Sequence, residues 1–182
     1  MRGRSTPIAQ RKGPVQRRTR EEFDQVAQAV CGQAVLDAIK TLVEKAQTLG
    51  GFESLGTSEA NPALYLNFRT NGGTPLCWPF VLMPHQARLV VKIRGLRAHP
   101  ALAGEDVLDQ LLERVVTAAA SPTHGNADGA PWVPLATLAS PGVVDKLAEV
   151  LHWVVSTADG GHEAGSAASD GMPETAVGDP DF

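Results

Sequence analysis

The chain has 182 residues, of which 43% are apolar, 20% charged and 5% aromatic. This apolar fraction is close to the globular average and excludes wholesale disorder, and the 18 glycines and 13 prolines follow no period, which excludes collagen. No apolar run approaches the roughly 18 residues that a membrane helix needs. The sequence therefore predicts one modest soluble domain that has no membrane segment.

Charge is unevenly distributed behind the formal net charge of −4. Residues 1–20 carry seven basic side chains and no acid, whereas residues 159–182 carry six acids and no Lys or Arg. The rest of the chain holds 9 basic and 14 acidic residues. Neither end is apolar enough to build a core, so we expect a disordered basic arm at 1–19, a single domain at 20–157 and a disordered acidic, Gly/Ala-rich tail at 158–182.

Signals for export and for metal binding are weak. The basic start has neither the apolar stretch of a secretory signal nor the amphipathic period of an organelle peptide, so the cytoplasm is the expected compartment. Cys31 and Cys77 lack metal-ligand spacing and are expected to be buried free thiols. The five histidines are scattered and form no ligand set, so no metal site and no cofactor is expected.

Helical signals come first along the chain. Thr19 and Glu22 have the spacing of a capping box, and an apolar stripe then continues to Gly50 and Gly51. This pattern predicts one broken helix or two helices in series over about residues 20–49.

The apolar period then changes from that of a helix to that of a strand. Alternation or continuous apolar runs predict strands at 64–69, 76–83 and 88–94, joined by a glycine hairpin and a turn at Pro84. The preceding stretch, 52–62, is expected to be a loop or a ragged first strand. These segments predict three antiparallel strands in a meander.

Two more helices are predicted in the second half, one from about Glu105 and one that begins after Ser140 and ends near Thr157. Residues 132–135 are expected to be extended. The helical stripes are the surfaces that can cover one face of the sheet, so the predicted fold is a two-layer α+β domain. Its three-stranded antiparallel meander is covered by three to four helices, in the order α-βββ-α-α.

Alternation along the strands directs a set of polar side chains away from the core. These candidate binding residues are Tyr65, Asn67, Arg69, Arg88, Lys92 and Arg94, with Arg97 just beyond them. A basic face with an aromatic ring suits a nucleic-acid backbone, because Arg and Lys neutralise phosphates while the ring stacks on a base. The alternative is an ordinary solvated face of an antiparallel sheet.

Two tryptophans stand beside prolines in extended segments, at Trp78-Pro79 and at Trp132-Val133-Pro134. Such aromatic residues commonly fill a core, and this interpretation is favoured here. A tryptophan at a sheet edge can instead anchor a partner.

Together these features predict a non-catalytic cytoplasmic accessory or interaction domain whose basic sheet face binds nucleic acid or an acidic partner protein. No catalytic residue is nominated, because the acids fall on helix starts and polar helix faces. One alternative is a nuclease-like hydrolase acting on nucleic acid or a phosphorylated substrate. Another is a structural subunit of a larger bacterial assembly. The compact single domain and the Ala-, Gly- and Arg-rich composition suggest that the protein is bacterial. The oligomeric state is not predicted.

Overall fold

The computed structural model describes residues 19–56, 62–69, 75–125 and 130–166. Three short 3-10 helices, at Pro84–Gln86, Pro100–Leu102 and Leu135–Ala139, connect its main elements. In chain order these elements are α1 (Arg20–Cys31), α2 (Gln33–Thr48), β1 (Phe52–Leu55), β2 (Leu64–Arg69), β3 (Pro75–Met83), β4 (Arg88–Val91), α3 (Ile93–Leu96), α4 (Glu105–Ala119), β5 (Trp132–Pro134) and α5 (Val143–Ser166).

The N-terminal helix pair confirms the predicted capping box. The Thr19 hydroxyl accepts a hydrogen bond from the Glu22 amide at 3.3 Å, and the Thr19 amide donates to the Glu22 carboxylate at 3.0 Å. Gly32, with φ of 88°, separates α1 from α2. After α2 the chain turns tightly at Gly51, where a Cβ atom would lie 2.7 Å from the Ala46 carbonyl oxygen and would also collide with the Phe68 ring. Glycine is therefore required for this entry into β1.

The sheet has five antiparallel strands in the order β1-β2-β3-β4-β5. Its centre, β2-β3-β4, is the predicted meander, but the predicted count of three strands is wrong. The two edge strands account for the difference: the prediction allows a ragged strand within 52–62 and an extended segment at 132–135, but it places neither in the sheet. β1 has four residues and β5 has three, and such short segments are too brief to display a period of two. β5 also pairs with β4 only after the chain has passed through α4, a long-range contact that no local pattern reveals.

The third strand of the meander ends earlier than its sequence predicts. β4 stops at Val91, and Lys92 is the N-cap of the short helix α3. Ile93 and Leu96 are both buried on the helical side of the sheet, and their spacing of three residues suits one helical turn. The placement of Arg94 on a strand is therefore wrong, because burying Ile93 and Leu96 together requires a helix.

One side of the sheet forms the main core. Leu64, Leu82, Leu89 and Val133 are paired across β2 to β5, and all four are buried against the helices. Helices α1, α2, α4 and α5 all contribute buried apolar residues to this same cluster. This two-layer arrangement confirms the α+β class.

The last helix is longer than its sequence pattern predicts. Helix α5 continues to Ser166, beyond the expected end near Thr157. Residues 1–18 and 167–182 lie outside the described residues, so the disorder predicted for them stays a prediction. Within the described ranges, no helix combines the length and apolar character needed to cross a bilayer.

Candidate functional site

The side of the sheet turned away from the helices carries a row of paired side chains from all five strands, namely Ser54, Tyr65, Val81, Val90 and Trp132. In the part of the chain that the structure describes, the buried apolar residues of the helices belong to the opposite side. We call this second side the outer sheet face. It is formed by Phe52, Ser54, Tyr65, Asn67, Arg69, Trp78, Val81, Met83, Arg88, Val90 and Trp132.

The centre of the outer sheet face is apolar and aromatic. Val81 and Val90 are only 2% and 6% exposed, because the partly buried side chains of Tyr65 and Trp132 pack against them. The Tyr65 ring meets the Trp78 ring edge to face, with centroids 5.4 Å apart. Trp78 is 41% exposed, so a large aromatic surface faces solvent beside this small cluster.

One corner of the outer sheet face holds a stack of three planar side chains. The Arg88 guanidinium lies over the Trp132 ring, 4.2 Å from its centroid, and the His124 ring lies 4.6 Å from the same tryptophan. His124 is held there by two backbone hydrogen bonds with Trp132, of 2.8 and 3.0 Å. The guanidinium of Arg88 is therefore supported as a flat cationic surface.

The far corner repeats this arrangement on β1 and β2. The Arg69 guanidinium lies over the Phe52 ring at 5.4 Å, and Phe52 is 40% exposed. Across the described ranges, neither Arg69 nor Arg88 forms an ion pair with a carboxylate. Both cations are thus available to an anionic ligand.

Strand acids do not neutralise this surface. Glu53 is the one acid within the five strands, and it pairs with Arg20 of α1. Burial disfavours the charge on Arg20, but hydrogen bonds and electrostatic attraction from Asp24 and Glu53 outweigh this effect and raise the pKa of Arg20 above its ordinary value. Glu53 is thereby committed to the helical layer and not to the outer sheet face.

The strand register fixes the separation of the two arginine stacks. Arg88 is paired with Met83, which follows Leu82, the partner of Leu64. Measured along β2, Arg88 therefore lies level with the position just before Leu64, six positions from Arg69. Six steps of about 3.4 Å along the strands and two strand spacings of about 4.8 Å give a distance of roughly 22 Å. The arginine stacks therefore occupy opposite corners, with Tyr65 and Trp78 between them.

Four of the seven predicted binding residues lie on the outer sheet face, and one of these four is buried. Tyr65, Arg69 and Arg88 are brought together on it, as the alternation predicted. Asn67 also lies there but is only 7% exposed. Its amide nitrogen is within hydrogen-bond distance of the Phe52 carbonyl, the Ser54 hydroxyl and the Tyr65 carbonyl, at 3.2, 3.0 and 3.1 Å. The Asn67 side chain therefore joins β1 to β2.

The other three predicted cations leave the sheet. Lys92 is the half-buried N-cap of α3, and Arg94 is exposed on that helix. Arg97 follows α3 and forms an ion pair with Glu105 at 2.8 Å. Because the chain forms α3 here and not a longer strand, these three side chains do not join Arg69 and Arg88 on the outer sheet face.

The aromatic partners differ most from the sequence prediction. The sequence favours a core position for Trp78 and Trp132, beside their prolines, whereas the structure leaves Trp78 exposed and Trp132 half-buried. Phe52 and His124 carried no signal. Both arginine stacks take their rings from the edge strands β1 and β5, which the predicted sheet lacks.

Other features of the described residues offer less chemistry. No group of three or more His, Cys, Asp or Glu side chains there could hold a metal ion. An open groove of about 540 Å³ between α4 and α5 is lined by both charge signs, including Glu113, Arg114, Lys146 and Glu149. The free thiol of Cys31 is half-buried, and burial raises its pKa, which makes the reactive thiolate scarcer.

Fold and surface together define a two-layer α+β domain with an aromatic and cationic face on its antiparallel sheet. Comparison with protein-family models, curated proteins and solved structures found no significant match to the chain. The outer sheet face is therefore the feature from which a function can be inferred.

Proposed function

We propose that the protein binds single-stranded nucleic acid on the outer sheet face. The observation that carries this proposal is the pair of arginine stacks at opposite corners, Arg69 on Phe52 and Arg88 on Trp132, with exposed Trp78 between them. Single strands expose the flat faces of their bases, which stack on aromatic rings and on guanidinium planes. The same guanidinium groups neutralise phosphates.

The dimensions of the surface agree with this ligand. The two arginine stacks lie roughly 22 Å apart and take their rings from the two edge strands, so together they reach across the five-stranded sheet. A nucleic-acid-binding sheet typically stacks about two or three bases. The apolar centre at Val81 and Val90 offers no hydrogen bonds for base edges, so we expect little sequence preference.

An acidic protein partner is the rival occupant of this face. A carboxylate pairs with the N–H edge of a guanidinium as a phosphate does, so charge alone does not distinguish the two ligands. The distinguishing feature is the aromatic surface, because both guanidinium groups lie on rings and an indole is exposed beside them, an arrangement suited to flat ligands. Nucleic acid is therefore the favoured ligand, and an acidic peptide serves as its competitor in the test.

The other hypotheses gain no specific observation. A nuclease-like hydrolase and a structural subunit of a larger assembly remain hypotheses, as does the cytoplasmic compartment. We propose that the protein binds its ligand without catalysing a reaction, because its described outer sheet face supplies cations and aromatic rings.

The wild-type protein is expected to bind 16-nucleotide oligo-dT and oligo-U at least tenfold more tightly than a 16-base-pair duplex, because paired bases cannot stack on the outer sheet face. Fluorescence anisotropy at about 0.15 M salt measures this, with a salt series to report phosphate contacts. Poly-glutamate should compete poorly. Equal affinity for the duplex, or displacement by poly-glutamate at equal charge concentration, would contradict the proposal, the latter in favour of an acidic partner.

Trp78→Ala is expected to weaken oligo-dT binding about tenfold, since stacking of a base on an aromatic side chain contributes about 1–3 kcal/mol. The exposure of Trp78 implies little loss of stability, which thermal unfolding checks. Val30→Ala is the matched control, because it trims another exposed apolar side chain, on α1. Unchanged affinity in Trp78→Ala would remove the indole from the binding surface.

A further inference from the structure

The two edges of the sheet differ in their hydrogen bonding. On the β5 side, the odd-numbered positions of 131–135 bond to β4, so the backbone groups of Trp132 and Pro134 point away from the sheet. Trp132 exchanges two hydrogen bonds with His124, of 2.8 and 3.0 Å. Pro134 has no N–H, and its carbonyl accepts a hydrogen bond from the Thr137 hydroxyl at 2.7 Å. Trp132 and Pro134 therefore have no backbone group left for another strand.

The β1 edge is open. The Gly56 N–H donates to the Ala63 carbonyl at 2.8 Å, and hydrogen bonding alternates along an antiparallel strand. Even-numbered residues of β1 therefore bond to β2, and the N–H and C=O groups of Glu53 and Leu55 point away from the sheet. Across the described ranges, no hydrogen bond reaches these four groups. The strand contains neither Lys nor Pro and pairs with β2 without a bulge, so these protections of an edge are missing.

We propose that the open edge of β1 pairs with the same edge of a second copy of this chain, in an antiparallel register centred on Ser54. A two-fold axis at this residue places Glu53 opposite Leu55 of the partner subunit, and the reverse pair follows by symmetry. Each of these two pairs exchanges two hydrogen bonds, so all four outward groups of each copy gain partners. The five strands of each copy then form one continuous sheet, with both outer sheet faces on the same side.

The side chains of this edge are self-complementary in that register. Ser54 meets Ser54 of the partner subunit, and two small hydroxyl side chains fit the close approach of a pair without backbone hydrogen bonds. Phe52 meets Gly56 of the partner subunit, where the absence of a side chain leaves room for a ring. A Cβ atom at Gly56 would lie 3.3 Å from the Tyr65 ring, so the incoming Phe52 ring lies beside an aromatic surface. Phe52 is 40% exposed, and this contact covers its apolar surface.

Charge does not oppose the pairing. Glu53 is the one charged residue of β1, and its carboxylate already pairs with Arg20 of the same copy. Arg69 lies two positions beyond Asn67, the partner of Phe52, and is therefore outside the paired segment. The contact involves about five residues from each copy, so we expect a weak, concentration-dependent dimer. It would form whether or not the outer sheet face binds nucleic acid.

The test places charges at residue 54, because this residue meets its own copy at the two-fold axis. Sedimentation equilibrium of the full wild-type chain should show a dimer that accumulates as the concentration rises to about 1 mM. Ser54→Lys and Ser54→Glu should each weaken the dimer at least about fivefold, because like charges directly opposite each other repel. An equimolar mixture of the two variants should recover the wild-type dimer constant to within about twofold, since Lys then faces Glu.

Ser54→Ala is the matched control, because it removes the same hydroxyl without adding a charge. It should dimerise within about twofold of the wild type, and thermal unfolding checks that every variant is folded. A wild type that stays monomeric to about 1 mM would overturn the inference. Undiminished dimerisation of Ser54→Lys would place the contact on another surface, and failure of the mixture to recover would show that residue 54 does not meet itself, and either result rejects the proposed pairing.

Discussion

The double variant Arg69→Glu/Arg88→Glu is expected to bind oligo-dT about a hundredfold more weakly than the wild type, with about tenfold lost for each substitution. Each change removes a guanidinium that is stacked on a ring and replaces it with an anion that repels phosphate. The two sites share no partner and lie roughly 22 Å apart by strand spacing, so their effects should add. A tenfold loss corresponds to about 1.4 kcal/mol of binding free energy.

A charge-matched control separates local contacts from overall charge. Arg94→Glu/Arg114→Glu changes the net charge by the same amount, but neither residue is on the outer sheet face. Arg114 is also stacked on an indole, that of Trp153, at 4.7 Å, while Arg94 is exposed on α3. This control is expected to stay within about threefold of wild type, since exposed charges beyond a Debye length of about 8 Å are largely screened. A comparable loss in both double variants would show that net charge, and not the arginine stacks, governs binding.

Sequence patterns predicted the elements whose signals are local. The capping box at Thr19, the helical stripes and the central meander all arise from contacts close in sequence, so their periods are visible in the chain. The outward direction of Arg69 and Arg88 also followed from alternation with buried neighbours such as Phe68 and Leu89.

The site itself depends on contacts that sequence patterns do not encode. Each arginine stack needs a ring from an edge strand, Phe52 from β1 or Trp132 from β5. Both strands are too short for their sequences to show the alternation typical of a strand. A register shift between Leu66 and Phe68 accompanies Trp78 on β3, where strict alternation fails. Alternation also predicts an exposed Asn67. Its side chain does lie on the outer sheet face, but it is buried because β1 pairs beside it.

Asn67→Ala is expected to destabilise the domain by about 2–3 kcal/mol, the cost of removing a buried hydrogen-bond donor and leaving its partners unmatched. In the described part of the chain, Asn67 is the one polar side chain classed as buried. Its amide hydrogen-bonds to both the Phe52 carbonyl and the Ser54 hydroxyl of β1, a strand of four residues. The melting temperature should fall by roughly 8 °C, at about 2–4 °C per kcal/mol for a chain of this size.

Two further variants show whether the Asn67 amide acts as a donor. Asn67→Asp keeps the shape but places a charged acceptor against the Phe52 and Tyr65 carbonyl oxygens, so it should destabilise at least as much as Asn67→Ala. Ser54→Ala removes the hydroxyl partner of the amide and should cost less than about 1 kcal/mol. Because β1 also carries Phe52 beneath Arg69, loosening this strand should weaken oligo-dT binding along with stability. A stable Asn67→Asp variant would show that packing, and not hydrogen bonding, holds the β1 edge.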